Sequence, residues 1–219
     1  MTVIFDMDGL MFDTERLFID AWDYAGEKVG IGKAGYMVVK TLGMNGAATS
    51  AALEAEFGPC FDWEGLRKYE IEYLRDYYEA YGTPVKKGLY SLLNYLTDQG
   101  AMLAVASSSS RQTVLRHLKG TGLEGTFSVL VCGDMISRSK PDPEIYLTAC
   151  ALLGAEPSEV YALEDSQNGL LAAHRAGCKP LMVPDLWLPD EETERILCGR
   201  FEDLDQVREF FEASERNNV

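Results

Sequence analysis

Two carboxylates one residue apart, Asp6 and Asp8, follow directly on the run Thr2-Val3-Ile4-Phe5, and Asp13 comes soon after. Other apolar runs also end in polar groups. Ser107-Ser108-Ser109-Ser110 follows residues 102–106, Gly133-Asp134 and then Lys140 follow 127–131, and Glu164-Asp165-Ser166 follows 160–163. In open α/β sheets ligands sit beyond the carboxyl ends of the strands, so these groups are expected on one rim. Acids gathered there repel, a pair ~4 Å apart by about 4 kcal/mol at an effective dielectric near 20. Such a cluster holds protons or a cation. Oxygen ligands without His or Cys nearby select a hard cation, and Mg²⁺ is the expected one.

These residue types suit phosphoryl transfer. A strand-end carboxylate can attack phosphorus and form an acyl phosphate, and a second carboxyl two residues on can protonate the leaving oxygen and later deprotonate water. The Ser107 hydroxyl, the backbone N–H groups after it and Lys140 can hold the transferring oxygens, while a metal cancels the repulsion between nucleophile and phosphate.

The elements that must position these groups are legible as five uninterrupted apolar runs, residues 3–5, 102–106, 127–131, 160–163 and 180–183. Strands covered on both faces read this way. Helical stretches at 88–99, 111–119, 143–153 and 166–176 alternate with them. The expected fold is therefore α/β, a doubly wound parallel sheet. Almost a hundred residues separate the first two runs, and the pattern among them is helical at 14–29, 47–57 and 62–81. Residues 15–83 thus read as an all-helical insertion hinged at Asp13-Thr14 and Thr83-Pro84, leaving 1–14 and 84–219 as the α/β core. The aromatic stripe Trp63, Tyr69, Tyr73, Tyr77, Tyr78, Tyr81 reads as helix packing.

Composition narrows the field. The net charge of −15 argues against a nucleic-acid binder, which needs a basic stripe. A small anionic substrate would need local positive charge, which Lys140, a helix N-terminus and Mg²⁺ can provide. Five scattered cysteines without a CxxC pair read as free thiols in a reducing compartment, and only two histidines argue against a zinc site. Neither a signal-peptide pattern nor a bilayer-length apolar run is visible. A cytoplasmic monomer acting on a small phosphorylated metabolite, without membrane or nucleic-acid partners, is expected.

The segments DMDGL (6–10), AVASSS (104–109), SKPDPEIY (139–146) and ALEDSQNGLLAA (162–173) together resemble the haloacid dehalogenase superfamily, in its helical-cap, β-phosphoglucomutase-like branch. The resemblance covers nearly the whole chain with its motifs in order. It implies a Rossmann-like core with an inserted cap. It also implies Asp6 as nucleophile, Asp8 as general acid/base whose main-chain carbonyl touches Mg²⁺, and Asp165 as direct metal ligand with Glu164 supporting through water. Ser107 and Lys140 are implied as phosphate ligands, with Ser108 beside them. The dehalogenases of the superfamily lack the second acid of the first motif, so Asp8 points to phosphoryl transfer. The cap loop 41–46 is implied to reach over the site, with Lys40 and Asn45 as candidate substrate contacts. β-Phosphoglucomutases usually carry an Arg where Gly46 stands here, so a phosphatase acting on a sugar or nucleoside phosphate is expected, with the phosphosugar mutase as the alternative.

Several residues also have plain structural readings. Ser109 or Ser110 is expected to cap the helix at 111, and Asp142-Pro143 to start the next one. Asp13 is expected at the hinge and Asp185 in a loop. Asp134 either orders the rim or ligates weakly. His117 and His174 are expected to be packed or on the surface.

Overall fold

The computed structural model describes residues 1–42, 44 and 46–216, with the side chains of 215 and 216 left aside. The chain starts with strand β1 (Thr2–Phe5), buried along its whole length. Helices α1 (Thr14–Val29), α2 (Tyr36–Lys40), α3 (Gly46–Phe57) and α4 (Trp63–Tyr81) follow. The rest alternates: α5 (Leu89–Asp98), β2 (Met102–Ser107), α6 (Arg111–Gly120), β3 (Val129–Cys132), α7 (Glu144–Leu153), β4 (Val160–Glu164), α8 (Gln167–Ala176) and β5 (Lys179–Met182). Helix α9 (Glu191–Glu194), the short strand β6 (Gly199–Arg200) and α10 (Leu204–Arg216) close the chain.

All pairings in the sheet are parallel and the order is β3-β2-β1-β4-β5-β6. Strand β1 lies centrally, with β2 on one side and β4 on the other, so the chain reverses direction across the sheet at β1. The crevice at such a switch point is where α/β sheets bind ligands.

Side chains alternate across a strand, and here both faces are covered. Val3 and Phe5 pack with Leu92 and Leu96 of α5, Val114 and Leu118 of α6, and Val207 and Phe211 of α10. Ile4, Ala104 and Ala106 pack on the opposite face against Ile145, Tyr146 and Ala149 of α7 and Ala172 and Ala173 of α8. The sheet is doubly wound, as the apolar runs indicate. Strand β3 starts two residues later than the run at 127, because Phe127 turns into the core and pairing begins where Ser128 N donates to Leu103 O at 3.0 Å.

Helices α1 to α4 have a core of their own. Trp22 and Ala25, Met37 and Val38, Leu53 and Leu66 form one cluster, against which Leu186 and Trp187 from the loop after β5 pack. Leu17 and Ala21 of α1 meet Leu74 of α4 in another. Helix α1 ends in a left-handed Gly30, and Asp62 caps α4 by accepting from Gly65 N at 2.8 Å. The two chain crossings lie side by side, with Asp13 N donating to Pro84 O and Lys86 N to Met11 O. Of the aromatic stripe, Tyr69, Tyr73, Tyr77 and Tyr78 pack as expected, whereas Tyr81 is 78% exposed. Among the described residues, no helix is long and apolar enough to cross a membrane.

Candidate active site

The parallel register brings the carboxyl ends of β1, β2 and β4 level. Asp6 continues β1 and is tied to β4 by its N–H donating to Leu163 O at 3.0 Å. Lys140 enters from the loop before α7 and is 2% exposed. Its Nζ donates to Asp6 Oδ1 at 2.5 Å, Glu164 Oε1 at 2.6 Å and Ala106 O at 3.0 Å. An ammonium has three donors, and all three are taken. Any further acceptor would therefore gain Lys140 only by taking over one of these bonds.

Glu164, fully buried, also accepts from Tyr146 OH at 2.6 Å through Oε1 and from Ser166 Oγ at 3.2 Å through Oε2. A Cβ on Gly169, in the first turn of α8, would stand 2.0 Å from Glu164 Cδ, so the absence of a side chain there makes room for this carboxylate. Asp165 is 2% exposed, and a Cβ on Gly9 would lie 2.2 Å from its Oδ2. Gly9 also holds φ +81°, a left-handed backbone that favours glycine. The turn after Asp8 is thus shaped to let Asp165 approach the end of β1.

Asp8 is held differently. Thr14 Oγ1 donates to Oδ1 at 2.7 Å and Ser109 Oγ to Oδ2 at 2.8 Å. Both partners escape the motif reading, although Thr14 opens α1 at the hinge and Ser109 belongs to the serine run. Ser110 is the residue that caps α6, accepting from Thr113 N at 3.4 Å, and Asp134 reinforces the cap by accepting from Arg111 N. Asp134 thus orders the rim. Ser107 is fully buried and its Oγ accepts from Ser109 N at 3.0 Å, so it braces the loop from behind while Ser108, Ser109 and Ser110 line the cavity.

Oxygen atoms of Asp6, Glu164 and Asp165 lie within 4.8 Å of one another, all three buried. One ammonium cannot balance three carboxylates in a desolvated place. Burial pushes the Asp6 carboxyl up to about 8 against the pull of Lys140, and burial with the charges of Asp6 and Glu164 raises Asp165 well above the usual carboxylate range. Burial works against the Lys140 charge too, but Asp6 and Glu164 outweigh it and hold the ammonium above its ordinary value. The donor set is all oxygen and short of positive charge. It fits a hard divalent cation.

Above this floor lies a cavity of about 850 Å³, lined by Asp6, Asp8, Asp165 and the serine loop below and by Phe18, Trp22, Trp63, Arg67 and Glu70 of the helical segment above. Trp63 and Tyr78 therefore do more than pack, since both face this space. Asn168 on α8 donates to Leu42 O at 2.8 Å, joining the loop before α3 to the rim. Of the two proposed contacts from that loop region, Asn45 lies outside the described residues. Lys40 bonds Glu56 at 3.0 Å over the Tyr36 ring and does not line the cavity, so the expectation for it is corrected. His117 is packed, with Nδ1 3.0 Å from Thr83 Oγ1, and His174 is exposed. Asp13 sits at the crossing beside Arg16, and Asp185 accepts from Lys86 and Arg16 in the loop after β5.

The chain from residue 3 to 183 matches the haloacid dehalogenase-like hydrolase family model. It is 33% identical over 187 residues to the Bacillus subtilis protein named "Putative phosphatase YhcW", covering 84% of this chain and 83% of that one. It is 30% identical over 181 residues to the phosphorylated carbohydrates phosphatase of Thermotoga maritima, covering 80% of this chain and 81% of that one. In three dimensions it superposes on a hydrolase from Pseudomonas syringae with a TM-score of 0.82 at 24% identity, over 96% of this chain and 98% of that one. With the motif residues gathered at the switch point of the sheet, these likenesses make the chain a member of the haloacid dehalogenase-like hydrolases.

Proposed function

We propose that this protein is a Mg²⁺-dependent phosphatase that hydrolyses a small organic phosphomonoester, a sugar or nucleoside phosphate, through a phosphorylated Asp6. One observation carries the reading. Asp6 and Glu164 converge on Lys140, Asp165 joins the two carboxyls within 4.8 Å, and Asp6, Asp8 and Asp165 line the cavity floor. The names of the relatives, phosphatases of phosphorylated small molecules, support the same class.

Asp6, Asp165 and the main-chain carbonyl of Asp8 would hold the metal, with Glu164 behind them. When bound, Mg²⁺ supplies the positive charge that lets an anionic nucleophile meet an anionic phosphate. An oxygen of Asp6 attacks phosphorus as the P–O bond to the leaving alcohol breaks, and Asp8 gives that alcohol its proton. Asp8 then takes a proton from the water that attacks the aspartyl phosphate, releasing inorganic phosphate and restoring Asp6. Thr14 and Ser109 hold the Asp8 carboxyl in place for both transfers. Lys140 orients Asp6 and takes up phosphoryl charge, Ser107 and Ser108 shape the phosphate loop, and Asn45 is kept as a substrate contact.

Helices α1 to α4, residues 15–83, would act as a cap that chooses the substrate and excludes bulk water over a core of 1–14 and 84–219. The monomer is proposed as the working unit. Its unbridged cysteines suit the cytoplasm. The test is hydrolysis of p-nitrophenyl phosphate across a Mg²⁺ titration, with beryllium trifluoride added to trap Asp6. Metal-independent turnover, or an adduct on another atom, would overturn the reading. Conversion of β-glucose 1-phosphate to its 6-phosphate without release of phosphate would replace it with the mutase.

A further inference from the structure

The cavity extends beyond the catalytic floor. It is lined by Leu74 and Tyr78 of α4 and by Gln112, Thr113 and Arg116 of α6. Gln112 and Arg116 also line a second, open groove along α6, together with Leu115, Lys119 and Glu124. The two spaces therefore share Gln112 and Arg116.

Helix α6 carries Arg111, Arg116 and Lys119 and no carboxylate, in a chain of net charge −15. Gln112, Leu115, Arg116 and Lys119 stand three or four positions apart, so they form one stripe on the helix surface. Such a stripe ordinarily reads as a solvated face, but this one begins inside the catalytic cavity. Two arginines line that cavity. Arg67 faces the Glu70 carboxylate at 3.8 Å. Arg116 has no such partner among the described residues, and its guanidinium bonds only Thr113, with Nη2 donating to Oγ1 at 3.2 Å. A guanidinium has five N–H donors, so the others are open to an acceptor.

Spacing and charge define that acceptor. Ser110, at the start of α6, lines the cavity beside Ser109. At ~1.5 Å per residue, Arg116 lies roughly 9 Å and Lys119 roughly 13 Å further along the axis. A leaving group of two or three carbons falls short of that stripe, whereas a chain of five or six carbons can reach it. The charged residues of the groove are Arg116, Lys119 and Glu124, a surplus of one positive charge. A single surplus charge matches a monoanion better than the dianion of a second phosphate.

We propose that Gln112, Arg116 and Lys119 form a subsite for a carboxylate at the far end of the leaving alcohol, so that the preferred substrates are phosphomonoesters of polyhydroxy acids with five or six carbons. The proposal rests on the phosphatase reading and adds the group by which the substrate is chosen. Leu115, 44% exposed in the groove, offers apolar surface to the carbon chain.

The test compares kcat/KM for 6-phosphogluconate and glucitol 6-phosphate, which differ only in carrying a carboxylate or a CH₂OH at the far end. Wild type, Arg116→Gln and Lys119→Gln are measured at ionic strengths of about 0.01 M and about 1 M, where charges are screened beyond about 30 Å and 3 Å. At low salt the wild type should prefer the acid by about fivefold or more, the reach of an exposed charge contact. The preference should fall to about twofold or less at high salt and in Arg116→Gln, with Lys119→Gln in between. A ratio of two substrates cancels any general loss of activity in a variant. The shorter pair, 3-phosphoglycerate and glycerol 3-phosphate, should differ by no more than about twofold in all three proteins.

Indifference to the distant carboxylate, or a preference that survives both substitutions, would overturn the proposal. An equal preference in the shorter pair would do so too, because the charge would then be read near the phosphate. Faster low-salt turnover of glucitol 1,6-bisphosphate than of 6-phosphogluconate would overturn the assignment to a monoanion. If the wild type hydrolyses none of these esters nor p-nitrophenyl phosphate, the phosphatase reading fails on its own. Calorimetric binding of 6-phosphogluconate and glucitol 6-phosphate then decides the subsite. It stands if the acid binds more tightly and loses that advantage in Arg116→Gln, and it falls if either result is missing.

Discussion

Replacing Lys140 by methionine keeps most of the side chain's length and removes three hydrogen bonds, of 2.5, 2.6 and 3.0 Å, from a position 2% exposed. Asp6 and Glu164 are then left without their counter-charge. Breaking a buried pair from one side typically costs about 3–5 kcal/mol. For a chain of this size that corresponds to a melting temperature lower by roughly 6–20 °C. The pH dependence has a defined sign. In the wild type the folded Lys140 is held above its unfolded value, so its contribution is fully present below the unfolded lysine pKa and is lost only at strongly alkaline pH. Asp6, already held at about 8 in the wild type, is driven higher once Lys140 is gone, so the deficit should be smallest at and below pH 7 and grow as pH rises through about 8. Adding Glu164→Gln to the variant removes one of the stranded charges and should return part of the loss, a non-additive result expected of groups in contact. Urea denaturation of wild type, single and double variants at pH 7 and pH 9, without divalent metal, reads all of this. A single variant within about 1 kcal/mol of wild type, or a double variant no more stable than Lys140→Met, would refute the account of Lys140 as the counter-charge of this cluster.

Asp6→Asn should lower kcat towards p-nitrophenyl phosphate by several orders of magnitude while leaving the fold intact, since it removes only the attacking oxygen's charge; near-normal turnover would take the nucleophile's role from Asp6. Asp165→Asn should weaken Mg²⁺ binding, seen as a higher Mg²⁺ concentration for half-maximal activity and a smaller metal-induced rise in Tm. Because burial holds the Asp6 and Asp165 carboxyls high, the metal must displace protons, and its stabilising effect on the wild type should be larger at pH 8 than at pH 5; equal shifts at the two values would contradict this. Gly169→Ala puts a methyl 2.0 Å from the Glu164 carboxyl carbon and should destabilise by about 1–3 kcal/mol in denaturation, with activity falling as Lys140 is displaced.

The fold was legible because a parallel sheet covered on both faces writes itself as uninterrupted apolar runs, and 3–5, 102–106, 160–163 and 180–183 mark four of its strands with small end shifts. The two-residue strand β6 is too short to leave such a signal. Helix α10 carries Leu204, Val207 and Phe211 at helical spacing, but a single stripe beyond the last long strand does not say which face of the sheet it covers; packing against α5 settles that. Asp6, Asp8, Lys140, Glu164 and Asp165 were readable as a set because each follows a strand, and strands in register deliver their ends to one place.

What the sequence by itself determined, then, is the order of chemical groups along the chain and the strand ends that carry them. It could not determine which group answers which. That Thr14 and Ser109 grip Asp8 across 6 and 101 positions and that Tyr146 steadies Glu164 follow from how the strand ends and helices pack together. Hydrophobic periodicity specifies that a face is buried, while the identity of the polar atoms opposite it depends on contacts between residues far apart in the chain. Only the packed structure brings those atoms within a few ångströms of each other, and hydrogen bonding acts only at that range.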